Sequence, residues 1–285
     1  MWLRLLKSSL PSEAMIDLAP NNPYGLALAS PVLTAAGCFG YGVEYVRLVD
    51  VERIGAIVTR STTLYRRRVA RPPRLVETPA GVLAVGPWPN PGLSRVIERY
   101  TPIWSGWRTP VLLSVVGETP ADYAAMAAAL EGVEGVAGLE LNVEDHAERA
   151  AAITAAARAA TLLPLLVKLP HPEGIREGLA ELARAVAAAG ADAITLIGAP
   201  RGMALDPRSG EQCEGRLSGP ALRPLALRLV AEVAAAVSVP VVGCGGIATA
   251  DDARQFLAVG AAAVQVGAAL LADPGAAVRI ADELR

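Results

Sequence analysis

Two short apolar runs near the C-terminus end in glycine just where a helical pattern begins. They are Val239-Pro-Val-Val-Gly-Cys-Gly-Gly-Ile247 and Gly260-Ala-Ala-Ala-Val-Gln-Val-Gly-Ala-Ala269. At Gly245, Gly246 and Gly267 the missing side chains let bare backbone N–H groups approach an anion, and a following helix N-terminus adds a positive dipole end. Tight strand-to-helix turns also call for glycine, but two glycine-ended strands in consecutive units point beyond turns to a single phosphate cradle. In a (β/α)8 barrel that cradle belongs to the loops after strands 7 and 8. The signal specifies phosphate without specifying whose.

Active groups in such a barrel sit at the C-terminal ends of the strands. The polar residues there are Arg60 and Ser61, Ser114, Asn142 and Lys168. Lys168 stands out, because of 26 basic side chains only Lys7 and Lys168 are lysine. A lysine ending an apolar strand, in a chain that otherwise uses arginine, points to a need for a compact ammonium rather than a side chain snorkelling to the rim. Asn142 can donate and accept, which suits an amide-like ring edge; a loop-capping amide is the equal alternative.

Eight strands are needed to position these groups, and eight apolar segments are present: 32–36, 56–60, 111–115, 138–142, 165–168, 193–197, 241–243 and 263–266. Helical patterns alternate with them, including one through Tyr45 and Leu48, one over 178–189 and one from Leu222 to Val233. The fold class is therefore α/β, a single (β/α)8 barrel preceded by a hairpin over residues 15–31 that plugs one end. Residues 1–285 read as one domain, with 1–14 as an extension. Two stretches read as long irregular loops over the active face, Leu64 to Asn90 and Gly198 to Leu217. In the first, Arg66-Arg-Arg68 reads as a solvated surface, and Trp88 either roofs a pocket or anchors the loop.

Composition narrows the possibilities. The chain is 53% hydrophobic and 19% charged, so a large core is available. A net charge of −2 provides no basic stripe for nucleic acid. The cysteines at 38, 213 and 244 form neither a CxxC pair nor an even disulfide set, so no metal site is read and a reducing cytoplasm fits. No signal peptide or membrane span is read, since every apolar run is interrupted within about ten residues.

One ordered set of segments carries a family resemblance: Ala35-Ala-Gly-Cys-Phe-Gly40, Arg60-Ser-Thr-Thr63, Glu77-Thr-Pro-Ala-Gly81, Asn90-Pro-Gly92, Glu140-Leu-Asn142, Val167-Lys-Leu169, Leu217-Ser-Gly-Pro220, Gly243-Cys-Gly-Gly-Ile247 and Gln265-Val-Gly267. Over about residues 15 to 285 the chain resembles the class 1 dihydroorotate dehydrogenases, most of all the NAD-linked subtype. The resemblance implies an FMN-binding barrel that oxidises dihydroorotate to orotate in pyrimidine biosynthesis. It implies that Gly245, Gly246, Gly267 and Ala268 hold the FMN phosphate and that Lys168 lies at the flavin N1 and C2 carbonyl. It further implies that Ala36, Gly37, Ser61, Asn142, Ile197 and Gly219 line the ring and ribityl chain. Ser114 stands where the family has asparagine, and Arg60 where it has lysine. A homodimer and an iron–sulfur flavin subunit that passes electrons to NAD are the implied partners.

On the substrate side the chain departs from the family. The loop that in the family reads Ser-Cys-Pro-Asn, with cysteine as the base, is here Asn142-Val-Glu-Asp-His-Ala-Glu148, placing Asp145 at the cysteine position and Ala147 at the second asparagine. Ala84-Val-Gly-Pro-Trp88 replaces the Asn-x-x-Gly-Leu segment, and Gly198-Ala199 an Asn-Thr pair. Asp145 reads as a substitute base or, with more weight, as the N-cap of a capping box closed by Glu148. Cys213 lies in a loop that can reach the site. The leading expectation is an FMN oxidoreductase with weak action on dihydroorotate. The alternatives are a non-catalytic binding or assembly subunit and a flavin-free barrel enzyme acting on a phosphorylated metabolite.

Overall fold

The computed structural model describes residues 16–68, 72–86, 88–143, 146–172 and 178–285. The chain opens with β1 (Ile16–Asp17) and β2 (Ala27–Leu28), an antiparallel hairpin with Ile16 opposite Leu28. Then come β3 (Val32–Thr34), β4 (Ile57–Val58), β5 (Leu75–Thr78) and β6 (Gly81–Val85), followed by α1 (Leu93–Trp104) and β7 (Val111–Val115). Regular alternation continues with α2 (Pro120–Leu130), β8 (Gly138–Asn142), α3 (Ala150–Ala160), β9 (Leu165–Lys168), α4 (Leu179–Ala188) and β10 (Ala193–Leu196). A second hairpin, β11 (Arg201–Leu205) and β12 (Gln212–Ser218), precedes α5 (Arg223–Ala234), β13 (Val241–Cys244), α6 (Ala250–Ala258), β14 (Ala263–Val266), α7 (Ala269–Ala272) and α8 (Ala276–Leu284).

Eight strands pair in parallel in the order β3-β14-β13-β10-β9-β8-β7-β4, and a bridge between Leu33 and Ala56 closes the ring. All eight were legible as apolar segments because each is covered on both faces, by helices outside and by the barrel interior within. The closing seam has little ladder. Thr34 reinforces it with its hydroxyl, which accepts from Val58 N at 3.0 Å and donates to Val58 O at 3.2 Å. At the N-terminal mouth, Leu18, Leu26 and Leu28 of the hairpin pack with Leu33, Val58, Leu112, Leu166 and Val242, all at most 3% exposed. Each such leucine contributes about 2 kcal/mol by leaving water, which makes the hairpin the plug of this end.

Two sequence expectations are corrected. No helix runs through Tyr45 and Leu48. Residues 37–49 form successive turns, with Gly37, Gly40 and Gly42 at positive φ, and only a 3-10 turn at Val51–Arg53 follows. The two stretches read as irregular loops instead pair with each other, in a four-stranded antiparallel sheet of order β11-β12-β6-β5. In its register Leu217 faces Leu83 and Met203 faces Glu214. Val76, Leu83 and Cys213 form its small core. This sheet covers the C-terminal mouth of the barrel. Among the described residues no helix is long and apolar enough to cross a membrane.

Candidate active site

Between the strand ends and the covering sheet lies a cavity of 870 Å³, within the size range of small-molecule and cofactor sites. The barrel contributes Ala36 and Gly37 after β3, Ser61 after β4, Asn142 and Lys168 at the ends of β8 and β9, and Ile197 after β10. Gly245, Gly246, Gly267 and Ala268 line it after β13 and β14, and Gly219 lies at the foot of the covering sheet. Ala84, Met203, Gly215 and Arg216 come from that sheet, and Trp88 closes the side next to Gly37. A Cβ on Gly37 would lie 3.8 Å from the Trp88 indole nitrogen, so Trp88 forms part of the pocket wall.

The cradle is built by close approach of backbones. Gly246 has φ +74°, and a Cβ there would meet both Arg223 N and Gly219 O at 2.9 Å. The segment entering α5 is therefore folded directly against the β13 loop, and only glycine fits between them. Among the described residues, the backbone N–H groups of Gly245, Gly246, Gly267 and Ala268 have no acceptor in the protein. The N-terminus of α6, by contrast, is already occupied. Asp252 accepts from Thr249 N at 2.9 Å and Ala248 N at 3.0 Å, and it pairs with Arg223. The donors left open at this point are the loop amides rather than those of the first turn of α6.

Lys168, 5% exposed, lies beside Asn142 in the β8–β9 register. The Asn142 amide donates to Ser61 Oγ at 3.4 Å, and Ser61 Oγ lies 2.9 Å from Ser114 Oγ. Tyr123 holds the backbone of Asn142 by donating to its carbonyl at 2.6 Å. Two of the residues singled out in the sequence do not line the cavity. Ser114 is fully buried one layer below, because its strand position points into the barrel, and it acts on the wall through Ser61. Arg60 turns outward. Its guanidinium donates to Pro89 O at 3.4 Å and lies 5.8 Å from the Trp88 ring centroid, so it braces Trp88 from behind.

Other groups escaped the sequence reading. Beneath the cavity, Glu140 and Gln265 are wholly buried, joined by Gln265 Nε2 donating to Glu140 Oε2 at 2.6 Å, with Thr195 Oγ1 donating to the same oxygen at 3.4 Å. Their signal was present: a glutamate and a glutamine in the middle of otherwise apolar strands. Arg67, Arg201 and Arg216 line the mouth, Arg216 donating to Ala199 O at 2.9 Å. Glu214 is the one carboxylate lining the cavity among the described residues. Among the described residues lining the cavity, Lys168 and these arginines outnumber that single carboxylate.

Asp145 lies outside the described residues. After β8, a 3-10 turn spans Ala147–Arg149 with His146 at its N-cap, and α3 begins at Ala150. The His146 ring bridges Gly117 O, to which Nε2 donates at 3.0 Å, and Arg149, whose NH2 donates to Nδ1 at 2.8 Å. Cys213 does not reach the site, because its alternating position in β12 turns it into the core of the covering sheet. Cys38 does line the cavity, but burial pushes its thiol up to about 11 despite the opposing pull of Lys168 and Arg60. At neutral pH it is a thiol, not a base. Ala84 and Ala199 line the cavity, while Gly198 and Ala147 do not. No group of metal-ligating side chains occurs among the described residues.

The family model for dihydroorotate dehydrogenase matches residues 19–285. A protein of Trichlorobacter lovleyi named dihydroorotate dehydrogenase B (NAD(+)), catalytic subunit, is 42% identical over 274 residues, covering 90% of this chain and 89% of its own. Proteins of the same name from Pelobacter propionicus (41% over 277 residues, 91% and 90% covered) and Porphyromonas gingivalis (39% over 275 residues, 90% and 88% covered) are similar to it as well.

Proposed function

This chain belongs to the dihydroorotate dehydrogenase family, and on that premise we propose that it is an FMN-dependent oxidoreductase acting as the catalytic subunit of a larger assembly. The observation that carries the cofactor assignment is the set of four loop amides, at Gly245, Gly246, Gly267 and Ala268, without acceptors at one end of a cavity that also holds a buried lysine. A phosphate monoester satisfies those donors, and the residues present fit the cofactor. When bound, FMN supplies the acceptor for a hydride. Lys168 would hold a positive charge beside such a ring and favour its reduced form, and Asn142 with Ser61, itself held by Ser114, would orient it. Ala36, Gly37, Ile197 and Gly219 would contribute the wall for the ring, and Trp88 would keep water from one side. The arginines at the mouth draw in a substrate bearing a carboxylate.

Oxidation of dihydroorotate to orotate removes a hydride from one ring carbon and a proton from its neighbour. The chain is equipped for the first and poorly equipped for the second. Its candidate for the family's proton-accepting cysteine is Asp145, and the cavity thiol of Cys38 is protonated at neutral pH. A positioned base contributes about 10²–10⁴ in rate, so dihydroorotate reduces the bound flavin slowly here. An electron-transfer subunit bearing an iron–sulfur centre is the partner this reading implies.

Purified protein is expected to show flavin absorbance that is lost in Gly246→Val, with the variant still folded by circular dichroism. Colourless wild-type protein that also fails to take up added FMN would remove the cofactor from the reading. In stopped-flow mixing, sub-millimolar dihydroorotate should leave the flavin largely oxidised over seconds while dithionite bleaches it at once. Rapid bleaching by dihydroorotate would instead make the chain an efficient dihydroorotate dehydrogenase, with Asp145 the residue to replace next.

A further inference from the structure

A second recess of 1010 Å³ lies on the far side of Arg60 from the first cavity, walled by Arg60, Arg66, Arg67, Arg68, Arg95 and Arg99 around the start of α1. The carboxylates facing it are Glu44, which is engaged by Tyr41 N at 3.0 Å, and Glu98, which lies 3.8 Å from Arg95. Arg67 approaches Glu118 at 3.9 Å, at the rim. Among the described residues, Arg66, Arg68 and Arg99 have no carboxylate within ion-pair distance. Like charges gathered in a concavity repel one another, and a counter-anion is what relieves them.

An independent observation comes from the inner wall. Asn90, 4% exposed, has its amide oriented beyond ambiguity. Its Oδ1 accepts from Thr63 N at 3.2 Å, Thr63 Oγ1 at 3.0 Å and Gly92 N at 3.0 Å, which forces Nδ2 to the opposite side. That Nδ2 is a buried donor without a partner, and so is Arg60 Nε. Two unanswered donors therefore sit behind a ring of guanidinium groups, beside a helix start whose N-cap, Gly92, supplies no side-chain acceptor. Donors that outnumber acceptors in this way match an oxyanion, and guanidinium forks match phosphate oxygens two at a time.

We propose that this recess is a second ligand site that binds a multiply charged small-molecule oxyanion of the phosphate-ester or pyrophosphate class, separate from the phosphate cradle of the first cavity. Its concavity favours a small anion over an extended acidic surface. Arg60 stands between the two cavities, one side against Trp88 and the other facing this recess.

Titration calorimetry with inorganic pyrophosphate, at near-physiological chloride, tests the assignment on the full chain. One binding event is expected, with Kd raised at least tenfold in the triple variant Arg66→Gln, Arg68→Gln, Arg99→Gln. Saturating FMN should leave that binding unchanged, since FMN occupies the other cavity. Should the triple variant melt early, the single substitutions Arg66→Gln and Arg99→Gln are each expected to weaken binding severalfold. The proposal is overturned if no binding occurs, if the arginine variants bind within twofold of wild type, or if FMN competes. It is equally overturned if an acidic peptide binds where pyrophosphate does not, which would make the recess a protein-docking surface.

Discussion

Lys168 is buried to 95% of its surface, yet its strand, Leu165–Lys168, is apolar everywhere else. An ammonium is kept out of water in this way only where something compensates it. In the proposed reading the same ammonium would also stabilise negative charge on the reduced ring, beside the hydrogen-bonded group of Asn142, Ser61 and Ser114. Lys168→Ala should therefore lower the reduction potential of bound FMN while leaving the melting temperature within a few degrees of wild type. Lys168→Arg should restore part of the potential. A redox titration against a reference dye measures both, and an unchanged potential in Lys168→Ala would separate the lysine from the cofactor. The identity of this residue was legible at once, because lysine is rare in the chain. That Ser114 supports from below and Arg60 faces away was not, because one residue of register decides whether a side chain points into the barrel, into the mouth or outward.

Elements meet at Glu131, the residue that ends α2. Its carboxylate accepts from Thr161 Oγ1, from Leu162 N at 2.8 Å and from Tyr24 OH at 3.1 Å. One side chain thus ties the β1–β2 hairpin to the α2 and α3–β9 junctions. These hydrogen bonds, the one from Thr161 foremost, hold its carboxyl below the ordinary glutamate range. A depressed carboxyl contributes stability that is present above its unfolded pKa and is lost as pH falls through the folded one. Glu131→Gln should then lower Tm at pH 7 by roughly 2–4 °C, the size of about 1 kcal/mol in a chain of this length. It should also flatten the loss of stability on the acid side of pH 5. Thermal melts across pH 3 to 7 decide this; a variant with the same acid limb as wild type would show that the carboxylate is not the linked group.

At the scale of the molecule, closure of the barrel depends on the seam between β3 and β4, which is held by a short bridge, the Thr34 hydroxyl and, at the close crossing of Gly55, its N–H donating to Val32 O at 2.7 Å. A Cβ on Gly55 would lie 2.0 Å from Ser30 O, a backbone atom that cannot move aside without reopening the hairpin plug. Gly55→Ala is expected to destabilise by about 3 kcal/mol, read from urea unfolding with an unchanged m-value. A cost near zero would mean that the seam is slack. The sequence alone determined the eight barrel strands, their alternation with helices from β7 onward and the glycine loops after β13 and β14. A strand covered on both faces must be apolar along its length, and a turn where backbones cross closely must be free of side chains, so both are written locally. Only the tertiary structure decided that residues 75–85 and 201–218, each broken by glycine and proline and weakly patterned, recognise one another as a sheet over the mouth. It also decided that this sheet buries Cys213, brings Arg201 and Arg216 to the cavity, and leaves Arg66–Arg68 ringing a second recess with Arg60 and α1. Pairing between segments more than a hundred residues apart is fixed by which backbones the closed barrel places side by side, and no local property of either segment records its partner.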